Sequence, residues 1–247
     1  MPLKLYPALP ADAGRISEIH MAAFGSNAML LAQFRTPDVR EGLRESIRLK
    51  TLADIDDPKI SVLVVRNIPS DSDVSNITKA GDGSCHHSPI DGPPGERRTE
   101  ETLLGKVIAF AKWSHPVRRN EEYEETAWIW PPGTDMNILE SWGRATEEVQ
   151  EQAVGDYPCY PLGLTFMGTD PAHERKGAAS MMVRWGLDQC KKDGMPGYLE
   201  STLDAARFYE KMGFAAFRTI SLRYLVEGHD EYEVYKEIAF LYHHSST

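Results

Sequence analysis

The sequence predicts one α/β domain interrupted by two insertions. The chain has 247 residues, 41% of them hydrophobic, which is enough for one sizeable core. Short β-branched runs alternate with segments whose apolar residues recur at helical spacing. The composition changes sharply at 68–102 and again at 115–158, and the alternation resumes after each change. No internal repeat is present.

Leu3, Leu5 and Leu9 flank a short extended start. Asp12 stands as an N-cap before Ile16, Ile19, Ala23 and Phe24, a helical stripe that stops at Gly25-Ser26-Asn27. A second helix opens at Thr36-Pro37, a capping hydroxyl before a first-turn proline, with Val39, Leu43 and Ile47 as its buried stripe. Ile60 to Val65 is a short β-branched strand buried on both faces. From 68 to 102, 17 of 35 residues are Gly, Pro, Ser or Asp and none is aromatic. Such a stretch buries too little apolar area to offset its ordering entropy, which predicts a disordered insertion at the tip of a hairpin. Leu103 to Trp113 is the returning strand.

The second insertion, 115–158, contains the acidic run Glu121–Glu125, read as a solvated face, then Trp130-Pro131-Pro132-Gly133. A helix with Ile138, Trp142, Ala145 and Val149 on one side closes it. The last third reads as a strand over Leu162–Thr169, a helix over Gly177–Asp193 and a strand over Tyr198–Thr202. A short helix over Asp204–Met212, closed by Gly213, precedes two strands, Phe214–Leu225 and Tyr232–Phe240.

The net charge of −10 argues against a duplex nucleic-acid partner, which would require Lys and Arg to displace counterions. It is compatible with a cationic substrate. No window approaches 18 apolar residues and no signal-like h-region opens the chain, which predicts a cytoplasmic protein without a membrane partner. Cys85, Cys159 and Cys190 form no CxxC pair, so neither a disulfide framework nor a cysteine zinc site is expected. Cys85-His86-His87 lacks a spaced fourth ligand, and His243-His244 carries no more weight. No metal is expected. Asn76-Ile77-Thr78 is a chance glycosylation match.

The segment Thr165 to Ser180 carries the chemistry. A strand ends at Asp170-Pro171, a short basic turn follows, and Gly177, Ala178 and Ala179 open a helix bearing Met181, Met182, Trp185 and Cys190. The first amides of a helix lack internal partners and lie at the positive end of its dipole. Small residues there keep no anion away, and Arg175 and Lys176 add positive charge, an arrangement that cradles a phosphate or pyrophosphate. The alternative is that the small residues serve close helix–strand packing.

Two motifs then resemble the GNAT superfamily of acyl-CoA-dependent N-acyltransferases. Glu174-Arg175-Lys176-Gly177-Ala178-Ala179 is similar to its [Gln/Arg]-x-x-Gly-x-[Gly/Ala] pattern, and Tyr209-Glu210-Lys211-Met212-Gly213-Phe214 to its Tyr-x-x-x-Gly-Phe. The element order agrees over nearly the whole chain outside the insertions, which look like those of fungal members. The resemblance implies a mixed, mostly antiparallel central sheet flanked by helices, forming a single acyl-CoA N-acyltransferase domain over 1–247. It implies acetyl-CoA as co-substrate, its pyrophosphate held by the amides from Arg175 to Ser180 beside Glu174. Met167, Gly168 and Thr169 would pair with the pantetheine arm. Thr202 falls where many members place an asparagine that touches the cofactor. Glu174 departs from the family's Gln or Arg, and a carboxylate near a pyrophosphate repels it, opposed by Arg175 and Lys176.

Amine acylation requires a neutral nucleophile, whereas an alkylamine with pKa near ~10.4 is mostly protonated at pH 7. Glu200, at the end of its strand, is the best-placed carboxylate to take the proton, ahead of Asp170 and His173. By the resemblance Tyr209 donates to the leaving thiolate; its alternative role is that of a core tyrosine. Acceptor selection is assigned by the same resemblance to Gly25–Phe34 and Val226–Asp230. No GxSxG, P-loop, HExxH or GxGxxG template is present. The resulting expectation is acetyl transfer to a small-molecule primary amine by direct attack in a ternary complex, by a monomer or homodimer. The alternatives are a peptide or protein acceptor, or a non-catalytic CoA-binding module.

Overall fold

A computed structural model describes residues 2–68, 105–118, 120–155, 160–225 and 232–243. The predicted first insertion, with Cys85-His86-His87 and the sequon, lies almost wholly outside the described residues, as do Cys159, Val226–Asp230 and His244. Seven strands build one sheet: β1 (Leu3–Pro7), β2 (Ile60–Asn67), β3 (Lys106–Ser114), β4 (Leu162–Thr169), β5 (Gly197–Thr202), β6 (Ala215–Leu225) and β7 (Tyr232–Tyr242). Their order is β1-β2-β3-β4-β5-β7-β6, antiparallel throughout except for the parallel pair β4–β5. The mixed, mostly antiparallel sheet is the one the resemblance implies.

Among the described residues six α-helices cover it: α1 (Ala13–Phe24), α2 (Ala28–Gln33), α3 (Pro37–Asp56), α4 (Met136–Val154), α5 (Ala178–Asp193) and α6 (Ala206–Lys211). One sheet face packs α5 and α6 over Leu63, Ile108, Trp113, Leu164, Leu199 and Phe240. The other packs Ile16 and Ile19 of α1 over Val62, Val64 and Phe110, and Val149 of α4 over Tyr198, Ile220 and Ala239. Gly186 shows how close α5 lies: a Cβ there would stand 2.2 Å from the Trp113 ring.

Three local features depart from the sequence reading. Asp12 precedes α1 but does not cap it; its carboxylate accepts from Leu9 N and from the buried Arg66 guanidinium at 2.6 and 2.8 Å. The burial of Arg66 calls for a carboxylate partner, and Asp12 serves as that partner. An additional helix, α2, follows Asn27, whose side-chain oxygen accepts from Met29 N and Leu30 N. Six residues are too few for a visible periodicity, but the asparagine cap was a legible signal.

The third departure concerns the acidic run, which is not a solvated face. Glu122 and Glu124 are exposed, as expected, but Glu121, Tyr123 and Glu125 alternate inward. Glu121 pairs with Lys59 at 2.5 Å, and Tyr123 donates to Asp57 at 2.8 Å. Glu125, half-buried, joins the buried Lys50, Asp54 and Lys112 in a quartet. The run is an extended strap whose alternate residues are fastened to the α3–β2 turn and, through Glu125, to α3 and β3. It ends at Trp128 and Trp130, stacked at 4.8 Å between centroids.

Candidate active site

β4 carries an extra residue where it pairs with β3. Lys112 faces Phe166 but Trp113 faces Leu164, so Thr165 bulges, its hydroxyl donating to Lys112 O at 3.2 Å. A bulge bends its strand and sharpens the twist. β4 accordingly pairs with β5 only over Leu162–Leu164. From Thr165 to Thr169 the β4 edge facing β5 has no strand partner, and Met167, Gly168 and Thr169 lie along this opening.

At its C-terminal end the backbone turns. Asp170 N donates to Ile108 O at 2.8 Å, while its carboxylate accepts from Ala172 N and from Arg15 of α1. Those donors hold the Asp170 carboxyl below its ordinary range against the opposing effect of burial. Asp170 is thus engaged in structure and is not placed as a base. His173 Nδ1 is buried without a hydrogen bond, 3.5 Å from Asp170 Oδ2.

Arg175 has φ +58 and Gly177 φ +93, two left-handed residues flanking Lys176. The first turn of α5 bonds Met181 N to Gly177 O, which leaves the amides of Ala178, Ala179 and Ser180 without helical partners. Gly177 offers no side-chain cap, and a Cβ on it would meet nothing within 4 Å. This separates the two sequence readings. The glycine does not serve packing, which falls to Ala178 and Gly186; it serves the left-handed turn and leaves space before the amides. The Arg175 side chain makes no hydrogen bond or ion pair among the described residues, and Lys176 Nζ reaches only Ala172 O at 3.3 Å. Glu174 is exposed and likewise without an ion pair. Alternating backbone handedness, free amides and basic side chains fit a pyrophosphate.

Beyond the opening, α6 carries Tyr209, which is only 7% exposed. Gly213 at φ +99 lets the chain double back, so that Phe214 N bonds Tyr209 O at 3.1 Å and its ring meets the Tyr209 ring edge-on. The Tyr-x-x-x-Gly-Phe motif is thus a helix stop that fixes its own tyrosine. The Tyr209 hydroxyl has no hydrogen bond among the described residues, and burial, then the Glu237 charge, pushes its pKa up.

Glu200 lies on the opposite sheet face, under α4. Burial raises its carboxyl to about 7, opposed by a hydrogen bond from Tyr198 at 2.8 Å. Thr202, at the end of β5, pairs with Glu237 of β7, a second half-buried carboxylate whose pKa is also raised by loss of solvent. Tyr235 donates to Glu237 at 2.5 Å and accepts from Asn27 Nδ2 at 2.7 Å. Sequence reasoning missed Glu237; the only available signal was a Tyr-x-Glu on a strand, repeated in Tyr198-x-Glu200.

On this face, on the other side of the opening, Phe166 meets Trp128 and His20 at 6.0 and 5.2 Å. Burial holds His20 near a pKa of 4, so it is neutral at pH 7. A groove of about 340 Å³ between α2 and the β6–β7 pair is lined by Leu31, Arg35, Tyr224 and Glu233. Among the described residues no group of three or more His, Cys, Asp or Glu is placed to hold a metal, and no helix is long and apolar enough to cross a membrane.

Residues 139–214 match the Acetyltransferase (GNAT) family. Over these residues the chain carries a match to the GNAT acetyltransferase domain. The match runs from α4 through the amide turn to the Gly213-Phe214 stop, both quoted motifs included. Three solved structures share the fold over almost the full length. The histone acetyltransferase HPA2 and related acetyltransferase from Corynebacterium glutamicum is 17% identical, covering 100% of this chain and 99% of that one, with TM-score 0.53. The C-terminal condensation domain of Ebony in complex with beta-alanyl-dopamine is 11% identical over 98% of both chains, with TM-score 0.59. A mosquito arylalkylamine N-acetyltransferase like 5b is 13% identical over 97% and 99%, with TM-score 0.53. At these identities the likeness is one of fold. No curated protein sequence matches the chain.

Proposed function

We propose that this GNAT domain transfers an acetyl group from acetyl-CoA to the primary amine of a small molecule, by direct attack with both substrates bound. The observation that supports this most is the turn at Arg175–Gly177, with its two left-handed residues and the free amides of Ala178, Ala179 and Ser180 beyond it. These amides, with Arg175 and Lys176, would hold the pyrophosphate, and the unpaired edge of β4 at Met167, Gly168 and Thr169 would take the pantetheine amides. Thr202, across the opening, would flank them. Acetyl-CoA would supply an activated acyl group with a good leaving thiol.

The chain's own residues would do the rest. Glu200, with its raised carboxyl, accepts the proton that makes the amine nucleophilic. Tyr209 keeps its proton through the working range and donates a hydrogen bond to the departing sulfur. The Asn27–Tyr235 hydrogen bond ties the α1–α2 turn to β7 across the acceptor face, which favours a compact acceptor over an extended peptide. The Ebony and mosquito structures, described as a complex with beta-alanyl-dopamine and as an arylalkylamine N-acetyltransferase, agree with a compact amine.

The test is thiol release from acetyl-CoA with a panel of aryl amines, polyamines and lysine peptides, beside calorimetry of CoA binding. A small amine should accelerate release and Tyr209→Phe should slow it at least tenfold. CoA binding without acceleration by any acceptor would leave a binding module instead.

A further inference from the structure

Several buried or half-buried carboxylates among the described residues have a cation partner. Asp12 pairs with Arg66, Asp54 and Glu125 with Lys50 and Lys112, and Asp170 with Arg15. Glu200 and Glu237 have no cation partner among the described residues and are bonded only by the Tyr198 and Tyr235 hydroxyls. A carboxylate removed from water without a cation is costly, so this arrangement awaits one.

The two are near neighbours. Glu200 stands opposite Ala239 and Thr202 opposite Glu237, which places both carboxylates on the same sheet face across one diagonal, roughly 7 Å between Cβ atoms. Helix α4 presents Trp142, Ala145 and Val149 there, and its one cation, the exposed Arg144, pairs with Glu140. Strand β6 places Ile220 opposite Glu237 and the exposed Arg218 opposite Ala239; Arg218 forms no ion pair with either carboxylate. Asn27 reaches the pair only through Tyr235. The Glu237 charge also raises the pKa of Glu200 and of Tyr209, whose hydroxyl makes no hydrogen bond among the described residues.

We propose that Glu237 is a second working residue of this site: with Glu200 it binds the acceptor in its ammonium form and takes up the proton that must leave before attack. The inference rests on the acetyl-transfer reading. An ammonium N–H bond breaks, the proton forms an O–H bond on the carboxylate pair, and the electron pair stays on nitrogen. The pair holds a proton more readily than a lone exposed carboxylate because burial and the mutual charge both favour the protonated form. The acceptor class is therefore a cationic alkylamine captured as the abundant species, not a weakly basic aniline.

The experiment uses the full chain in three forms: wild type, Glu237→Gln and Glu237→Asp. With the fastest amine among phenethylamine, tryptamine, putrescine and spermidine, Glu237→Gln should raise KM for the amine at least tenfold. It should also move the acidic limb of the kcat/KM profile to lower pH, with CoA affinity unchanged, and Glu237→Asp should recover part of both. Carbon-13 NMR of labelled glutamates, without acetyl-CoA, provides a readout free of turnover. Glu200 and Glu237 should titrate as a coupled pair above the ordinary range, and Glu200 should fall in Glu237→Gln. A KM and profile within twofold of wild type would overturn the proposal, as would glutamates that titrate independently near 4. If wild type acetylates none of the four amines, the acetyl-transfer reading fails on its own, and the NMR titration still decides the pair.

Discussion

Two groups of carboxylates enter the same sheet face and meet opposite fates. Under the strap, Asp54 and Glu125 meet Lys50 and Lys112, four charges that sum to zero in one quartet. Beneath α4, Glu200 and Glu237 meet only tyrosine hydroxyls. Within the quartet every charge has its counterion on the chain, so the group serves structure: it fastens the strap that brings Trp128 toward Phe166. The second group has no counterion among the described residues, and burial raises the pKa of both its carboxyls. A buried carboxylate with a cation is an anchor; one with only hydroxyl donors is available for proton transfer.

The largest effect should come from breaking the anchor. Lys112→Met leaves Asp54 and Glu125 short of one cation and should cost about 3–5 kcal/mol of unfolding free energy, read by urea denaturation. Glu200→Gln should do the reverse: stability should hold within about 1 kcal/mol while kcat/KM falls roughly 10²-fold or more. A Glu200→Gln variant that unfolds, or a Lys112→Met variant that does not, would erase the distinction.

Next comes the amide turn against the helix–sheet contact. Gly177→Glu places bulk and negative charge before free amides and should weaken CoA binding at least tenfold by calorimetry. The left-handed φ costs the variant about 1–2 kcal/mol of stability. Gly186→Ala pushes a methyl into the Trp113 ring and should lose roughly 1–3 kcal/mol by overpacking, with CoA affinity in the folded fraction retained.

Stability against pH sharpens the comparison further. Glu200 binds its proton more tightly folded than unfolded, so its contribution is full below the ordinary carboxylate range and is lost as pH rises through about 7. Melting temperatures at pH 5.5 and 8 should therefore differ less in Glu200→Gln than in wild type. The smallest effect belongs to the exposed strap residues: Glu122→Gln and Glu124→Gln should each stay within about 0.5 kcal/mol.

Much of this molecule was legible before its coordinates. The β4 and α5 boundaries, the α3 cap at Thr36 and the Gly213 stop follow from local chemistry, because β-branching, capping hydroxyls and left-handed glycines act within a few residues. The amide turn was legible as a position, but its division of labour was not: Ala178 packs in the core while Gly177 faces open space. Glu125 and Glu237 were not legible. Their partners lie 75 residues away at Lys50 and across a strand pairing at Thr202, and a linear pattern cannot assign burial to a charge set by such distant contacts. The bulge at Thr165 was hidden for the same reason, since it exists only relative to β3.

The most direct test of the account is the pH dependence of kcat/KM for acetyl transfer to a primary alkylamine, in wild type and in Glu200→Gln. The account predicts a wild-type rate that climbs with pH through an acidic limb near 7, and a variant that lacks this limb and is slower throughout. A Glu200→Gln enzyme with wild-type rates and an unchanged limb would contradict it.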